Sequence, residues 1–285
     1  MRGERGTALK AGFVLLLLSA APAQAQSMRD FEYSRPLRGE TRLRAELEFA
    51  AGKLVLGPAA ADRLYQLSLA YDAERFQPVG SYDAGGGVVK LGVEGIGRGG
   101  VRVGLKNALP QTAMITLAKS VDLTLDVSLG AAEATLELGE YRLAELTLKS
   151  GASRMAVAFA KPNPGTCRSA SISSGAGEVM VEQAGNSGCP RWEVHGGVGS
   201  VTLDLGGNWP ADAQLELNMA LGGVTLRAPK ALGLRVTMSG FLAGFDAKGF
   251  TKSGKTYTSA GYDAAKRKVE VQVSSALGGV RVEWR

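Results

Sequence analysis

Histidine, cysteine and proline are scarce in this chain, and each shortage excludes a class of protein. Its 285 residues include one histidine, two cysteines and 10 prolines. The single histidine, His195, cannot form a histidine-rich metal site, and no paired C-x-x-C motif offers thiolate ligands instead. Few prolines and no three-residue glycine period exclude collagen. We therefore expect no metal site and no cofactor.

Long hydrophobic runs are also missing beyond residue 25. Arg2, Arg5 and Lys10 precede a short apolar run centred on residues 13–18, and Ala23-Gln24-Ala25 supplies a small-residue cleavage pattern. The run is shorter than the roughly 20 residues that a transmembrane helix needs. We predict a signal peptide over residues 1–25. The processed chain is expected in the periplasm or outside the cell, associated with the envelope and without a transmembrane segment.

No strong excess of either charge remains after this segment. The chain has 33 basic and 27 acidic residues, and residues 1–25 hold three basic residues and one acid, which leaves 30 and 26, or a net charge of +4. Nucleic-acid binding requires lysine and arginine clustered on one face. We therefore expect no nucleic-acid partner.

Glycine, by contrast, is abundant, and it separates segments of alternating hydrophobicity. There are 39 glycines, about twice the usual share of roughly 7%. From Val121 to Leu129 apolar and polar residues alternate, which is typical of a half-buried strand, and similar alternation recurs through residue 282. No stretch after residue 25 has a helical pattern. The sequence predicts an all-β protein.

Regularly spaced glycine steps indicate how the strands are arranged. The steps recur at a nearly constant interval, at Gly130, Gly151, Gly175, Gly197 and Gly222. A coil period of about 22 residues, with strands of four to six residues, is typical of a β-solenoid that turns at glycine corners. A β-sandwich with glycine-rich hairpins is the alternative.

The same pattern suggests a division of the chain. We predict a repeat region over residues 111–285, preceded by a more degenerate β segment over residues 26–110 that resembles it only loosely. Whether the boundary near residues 107–110 separates two domains or only the end of one stack is left open.

The two cysteines, Cys167 and Cys189, lie one repeat apart in the chain. Residues one coil apart lie above each other at the strand spacing of about 4.8 Å, within the range of a disulfide. Because an exported chain meets an oxidising compartment, we predict a disulfide between adjacent coils.

Two further groups of residues are candidates for function. Six carboxylates on outward positions could serve a carbohydrate-active enzyme: Asp122, Asp126, Glu133, Glu137, Asp204 and Glu216. We expect them to be solvated instead, whereas catalysis needs one acid with a raised pKa. The segment 244–261 interrupts the repeat, and insertions in solenoids often form the binding face. The candidate binding loop contains Lys248, Phe250, Lys252, Lys255, Tyr257 and Tyr262.

Several of these segments resemble a known family. Residues 123–138, 146–153, 257–262 and 269–282 resemble the toast-rack and LiaF-type C-terminal domains of bacterial envelope proteins, close to adhesin-like β-solenoid families. Residues 49–56 with Leu64-Tyr65 resemble the N-terminal toast-rack segment. The resemblance implies an envelope protein of stacked β-coils, in some cases connected to cell-wall stress, and it brings no catalytic residues. The chain lacks the N-terminal transmembrane helices of the LiaF pattern, which argues against direct inhibition of a kinase.

Together these observations predict a non-enzymatic interaction or scaffold module of the cell envelope, involved in envelope stress or adhesion. Its expected partner is an envelope protein or an anionic wall polymer, and open coil ends would allow self-association. A carbohydrate-active β-solenoid enzyme is the alternative.

Overall fold

The computed structural model describes residues 27–97, 111–246 and 248–285, and β-strands dominate them. In chain order the strands are β1 (Met28–Pro36), β2 (Arg42–Pro58), β3 (Arg63–Asp72), β4 (Phe76–Asp83), β5 (Val88–Gly95), β6 (Thr112–Leu117), β7 (Asp122–Glu137), β8 (Arg142–Ala158), β9 (Ser169–Glu182), β10 (Arg191–Asp204), β11 (Ala213–Ala228), β12 (Gly233–Asp246), β13 (Phe250–Ser253), β14 (Thr256–Ser259) and β15 (Lys268–Trp284). A 3₁₀ turn, Ala184–Ser187, precedes β10. The all-β prediction is confirmed. The predicted signal peptide and the boundary at residues 107–110 lie outside the described residues.

Eight long strands form a parallel stack in the order β2, β7, β8, β9, β10, β11, β15, β12. From β7 to β11 each coil lies directly beside the next. One row of paired residues runs through Leu125, Leu146, Ala170, Trp192 and Leu215, at nearly equal intervals along the chain. This stacked, glycine-rich arrangement is the predicted solenoid-like fold.

Each coil contains one long strand with a kink in its middle, rather than separate strands of four to six residues. In β7 the buried positions run through Val127 and Leu129 and then shift to Ala132 and Ala134, so the alternation changes phase. Glycines with positive φ form a row at this kink: Gly52, Gly177, Gly199, Gly222 and Gly278. Only glycine adopts such φ values without strain, and a residue of this kind bends a strand.

The register also corrects one predicted glycine step. Gly222 pairs with Gly199, and Gly197 falls opposite Ala220. The step from Gly197 therefore leads to Ala220 in the next coil and not to Gly222. The prediction compared glycines from two different rows.

Two ladders of apolar side chains, one on each half of the coils, belong to one continuous core. The first ladder comprises Leu47, Val127, Leu148, Ile172, Val194, Leu217 and Val273. The second comprises Leu54, Ala134, Met155, Val179, Val201, Val224 and Val280. A single coil could not bury these side chains, so the stack is stabilised by contacts between neighbouring coils.

The order of strands departs from the order of the chain at both ends of the stack. The C-terminal strand β15 inserts between β11 and β12, so that Leu217 pairs with Val273 although β12, β13 and β14 lie between them in the chain. The β13–β14 hairpin then continues the sheet beyond β12. At the other end, β2 pairs with β5 through its first half and with β6 through its second half, and β4, β3 and β1 extend these edges. The sheet is therefore continuous between strands that precede and follow the predicted boundary, and the division into two regions stays a prediction.

Cys167 and Cys189 are joined by a disulfide between the turns that lead into β9 and β10. Their Cα atoms lie 4.6 Å apart, and both side chains are buried. This is the pairing of adjacent coils that the spacing of the two cysteines predicts.

Candidate functional site

A groove of about 1170 Å³ crosses the stack beside the kinks of the long strands. It begins at β5 and β2, where Val93, Glu94 and Glu48 line it, and continues to Ser239 on β12. Since the groove draws a few residues from every coil, its shape depends on the register of the whole stack.

One row of mostly polar residues follows the groove along its length. Strand pairing aligns Glu48, Ser128, Lys149, Ser173, His195, Asn218, Ser274 and Ser239 in this order. We call these eight residues the polar row. With neighbouring strands about 4.8 Å apart, the polar row is about 34 Å long.

Two positions further along each strand lies a second row, made of very small residues. We call it the floor row: Ala50, Gly130, Gly151, Gly175, Gly197, Ala220 and Ala276. A Cβ on Gly130 or on Gly197 would overlap the backbone carbonyl oxygen of the preceding coil. The glycines thus allow neighbouring backbones to approach closely, and they leave the floor of the groove flat.

Hydrogen bonds connect many of the polar groups that line the groove. The hydroxyls of Ser150 and Ser174 lie 3.1 Å apart, and those of Ser239 and Ser274 lie 2.7 Å apart. Ser239 also donates to the carbonyl oxygen of Val273 at 3.1 Å. These contacts orient hydroxyl groups in register along the groove.

His195 belongs to the polar row. Its side chain is exposed, and its Nδ1 lies 3.4 Å from Nδ2 of Asn218, which also donates to Glu216 at 2.9 Å. Within the described residues, no group of three histidine, cysteine, aspartate or glutamate side chains could hold a metal ion.

Charged groups are few along the groove. Among the described lining residues the formal charges are Glu48, Glu94 and Lys149, and Glu94 accepts a hydrogen bond from Gln77 at 2.6 Å. Both carboxylates lie at the β5 end. The remainder of the groove therefore presents hydroxyl, amide and backbone groups beside apolar surface from residues such as Leu129 and Ala220.

The six carboxylates proposed for an enzyme lie at separate places, and each has a partner. Asp122 is paired with Arg142 at 2.8 Å, Asp126 with Arg44 at 2.7 Å and Glu133 with Lys53 at 3.7 Å.

The other three carboxylates accept hydrogen bonds near turns or neighbours. Glu137 accepts from the backbone N–H of Gly139, Asp204 from that of Gly206, and Glu216 from Asn218. Asp204 also pairs with Arg285 at 3.0 Å and is buried, so its predicted outward, solvated position is wrong. Each of the six carboxylates thus has a partner of its own, whereas glycoside hydrolysis needs two carboxyl groups that act on one bond.

The candidate binding loop is an ordered hairpin, because segment 250–259 forms β13 and β14. Phe250 packs on Phe245 and on Trp284, with ring centroids 5.3 Å apart in both pairs, and Tyr257 packs on Phe245 at 4.3 Å.

Tyr262 is buried beside this hairpin and donates a hydrogen bond to Glu270 at 2.9 Å, and burial raises its pKa. The aromatic members of the candidate loop therefore stabilise the end of the stack. The lysines, Lys248, Lys252 and Lys255, are exposed.

Sequence reasoning missed the groove, although its residues were visible in the glycine steps. Ser128-Leu129-Gly130 and Lys149-Ser150-Gly151 each contain one residue of the polar row and one of the floor row. Glycine steps of this kind indicate corners. Their spacing alone does not show that the polar residue two positions before each glycine lies on the same surface in every coil.

Comparisons place these features in a family. The family model for the N-terminal domain of toast_rack, DUF2154, matches residues 23–182. A putative cell adhesion protein from Clostridium sporogenes is 19% identical with a TM-score of 0.47, over 90% of this chain and 100% of that one. A putative adhesin from Bacteroides fragilis is 12% identical with a TM-score of 0.42, over 90% of this chain and 98% of that one. No curated protein matches the chain.

In the described ranges, no helix has the length and apolar character needed to cross a membrane.

The match to the family model covers more than half of the chain. The chain therefore belongs to the toast-rack N-terminal domain family.

Proposed function

We propose that this protein is a non-enzymatic interaction module of the cell envelope that binds an extended ligand in its groove. The groove itself carries the proposal. Nine strands line it and are fixed in register by backbone hydrogen bonds, so its polar row, on eight of these strands, is a rigid array of regularly spaced side chains. A preorganised surface of this kind loses little entropy when a long ligand binds.

The surroundings of the carboxylates support binding rather than catalysis. The six candidate carboxylates form ion pairs with neighbouring groups or accept hydrogen bonds from them. In the groove, Glu48 and Glu94 lie together at one end, far from His195 along the stack. Hydrolysis of a glycosidic bond would need one of two such carboxyl groups to be protonated so that it can donate, whereas Glu94 accepts a hydrogen bond from Gln77.

Export is the location that best agrees with the remaining features. The n-region, apolar run and cleavage pattern of residues 1–25 are typical of a signal peptide. The disulfide between Cys167 and Cys189 would persist outside the cytoplasm. We propose a partner within the envelope, in a role in adhesion or in the response to envelope stress.

Self-association through the ends of the stack is a further part of the proposal. The sheet ends with β1 on one side and with β13 on the other, and edge strands present free backbone groups. Light scattering over a range of concentrations tests this, because a mass that stays monomeric would contradict it.

Binding of the purified full-length chain to isolated cell envelopes tests the proposed function. Ala220→Leu places a larger side chain on the exposed floor of the groove, and Ala231→Leu makes the same change at an exposed turn outside it. We expect Ala220→Leu to reduce binding and Ala231→Leu to leave it unchanged. Equal binding by both variants, or no binding by the unaltered chain at low salt, would contradict the proposal.

A further inference from the structure

We infer that the ligand of the groove is a neutral, linear polysaccharide that lies across the strands, parallel to the polar row. This inference rests on the proposed function, because it names the class of ligand for the same groove. Three features of the groove carry it: its repeat, its flat floor and its low charge.

The repeat of the polar row does not match an extended peptide. Neighbouring members of the row lie about 4.8 Å apart, whereas side chains on one side of an extended peptide recur about every 6.6 Å. The side chains of a bound peptide would therefore lose their alignment with the polar row within a few residues. The backbone groups of β7 to β11 are already used in the sheet, so a peptide could not add as a further strand there.

The floor row suits the flat face of a sugar ring. Glycines and alanines project at most a methyl group, and Gly130, Gly151, Gly175 and Gly197 leave four neighbouring coils without side chains at this position. A pyranose ring has apolar C–H groups on its faces and hydroxyl groups at its edges. Its face can lie on the floor row while its hydroxyl groups reach the polar row.

The charges in the groove point to a neutral ligand. Lys149 is the one lysine or arginine among the described residues that line the groove. The acids Glu48 and Glu94 lie at the β5 end. A polyanion would need several cationic side chains along its length, and a polycation would need acids along the whole groove. Hydroxyl and amide groups such as those of Ser173 and Asn218 both donate and accept hydrogen bonds, which matches sugar hydroxyls.

The test is calorimetric titration of the full-length chain with defined probes. Cellohexaose and chitohexaose represent neutral, extended β-linked chains. Maltohexaose represents a coiled chain, oligogalacturonate a charged one, and an alternating Gly-Ser peptide an extended polypeptide. We expect the two extended neutral oligomers to bind, and each hexamer to bind more tightly than its dimer. The other three probes should bind more weakly or not at all.

Two variants locate the binding. Ala220→Leu should abolish it, and Ala231→Leu should leave it unchanged.

The outcomes separate this inference from the proposed function. If Ala220→Leu reduces binding to envelopes but no neutral oligomer binds, the ligand class is wrong and the groove remains the binding site. Preference for the peptide or for oligogalacturonate would also overturn the class. If oligomers bind equally to Ala220→Leu and to the unaltered chain, the groove is not their site. If envelope binding is also unaffected by Ala220→Leu, the proposed function itself fails.

Discussion

Gly175 and Gly197 lie backbone against backbone in neighbouring coils, and a methyl group on Gly197 would overlap the carbonyl oxygen of Gly175. The same close approach occurs between Gly130 and the carbonyl oxygen of Ala50, and to a lesser degree between Gly175 and that of Gly151. The floor of the groove is therefore a direct consequence of how tightly the coils stack. A change at one of these glycines should alter stability and groove shape together.

We predict that Gly197→Ala destabilises the protein by about 1–3 kcal/mol or more, as expected for overpacking against a backbone that cannot move away. Gly223→Ala is the matched control, because it lies in the same sheet and its added Cβ would meet nothing closer than 4.0 Å. Its φ is also not positive. Urea-induced unfolding followed by circular dichroism would measure both. Equal stability of the two variants would contradict the packing argument.

We predict that the disulfide between Cys167 and Cys189 contributes on the order of 3 kcal/mol, since it closes a loop of about 22 residues in the unfolded chain. Replacing both cysteines with serine should lower the free energy of unfolding by about this amount. Peptide mapping without reductant should recover the two cysteine peptides as one linked species. Two thiols that react with an alkylating agent in unfolded, unreduced protein would show that the bond does not form.

The stacking of coils could be predicted from the sequence because two local signals agree. Alternation of apolar and polar residues indicates strands, and the glycine steps at Gly130, Gly151, Gly175 and Gly197 occupy one row of the sheet. The predicted equivalence of Gly197 and Gly222 is wrong, because the floor row continues through Ala220. Gly222 lies at the kink, where its φ is positive.

Two features depend on long-range pairing, which local patterns do not determine. The position of β15 between β11 and β12 follows from pairs that are distant in the chain, such as Leu217 with Val273. The groove requires the side chains of eight strands to align, and that alignment exists only after the coils stack. The candidate loop was recognised as an interruption, but its aromatic residues, such as Phe250, pack on residues distant in the chain, including Trp284.

The exposed lysines of the hairpin allow a test of the predicted anionic partner. We expect Lys248, Lys252 and Lys255 to contribute to binding of polyphosphate, with an affinity that falls as salt concentration rises. Replacing all three with glutamine should weaken this binding and change the free energy of unfolding by no more than about 0.5 kcal/mol, because the lysines are exposed.

Replacing Lys53, Lys119 and Lys161 with glutamine removes the same number of charges and gives a control for net charge, because these lysines pair with Glu133 and Glu140 away from the hairpin. Equal loss of polyphosphate binding in the control and in the triple variant would show that net charge alone is responsible. Binding that no hairpin substitution changes would exclude this hairpin as the anion site.

Tyr141 provides a prediction about pH. Its side chain is buried in the turn between β7 and β8, and its hydroxyl donates a hydrogen bond to the carbonyl oxygen of Gly57 on β2. Burial raises the pKa of Tyr141 above its ordinary value of 10.0. In the unfolded chain the phenol ionises near its ordinary pKa, while in the folded protein it stays protonated. Folding stability that depends on the neutral phenol is thus complete below about pH 10 and is lost as the pH rises above it.

We expect Tyr141→Phe to cost about 1–3 kcal/mol near neutral pH, because the carbonyl group of Gly57 loses a buried donor. As the pH rises above about 10, the unaltered chain should lose up to about 1.4 kcal/mol per pH unit relative to the variant, which has no phenol to ionise. The two stability curves should therefore converge at alkaline pH.

Urea unfolding at several values between about pH 8 and 11 would measure this convergence, with Tyr257→Phe, a substitution at a half-buried position, as the control. Since Tyr65 and Tyr262 remain in every variant, their ionisation cancels in the difference. Parallel curves for Tyr141→Phe and the unaltered chain would mean that the phenol of Tyr141 ionises equally in the folded and unfolded states, and the buried hydrogen bond to Gly57 would then have no part in the alkaline loss of stability.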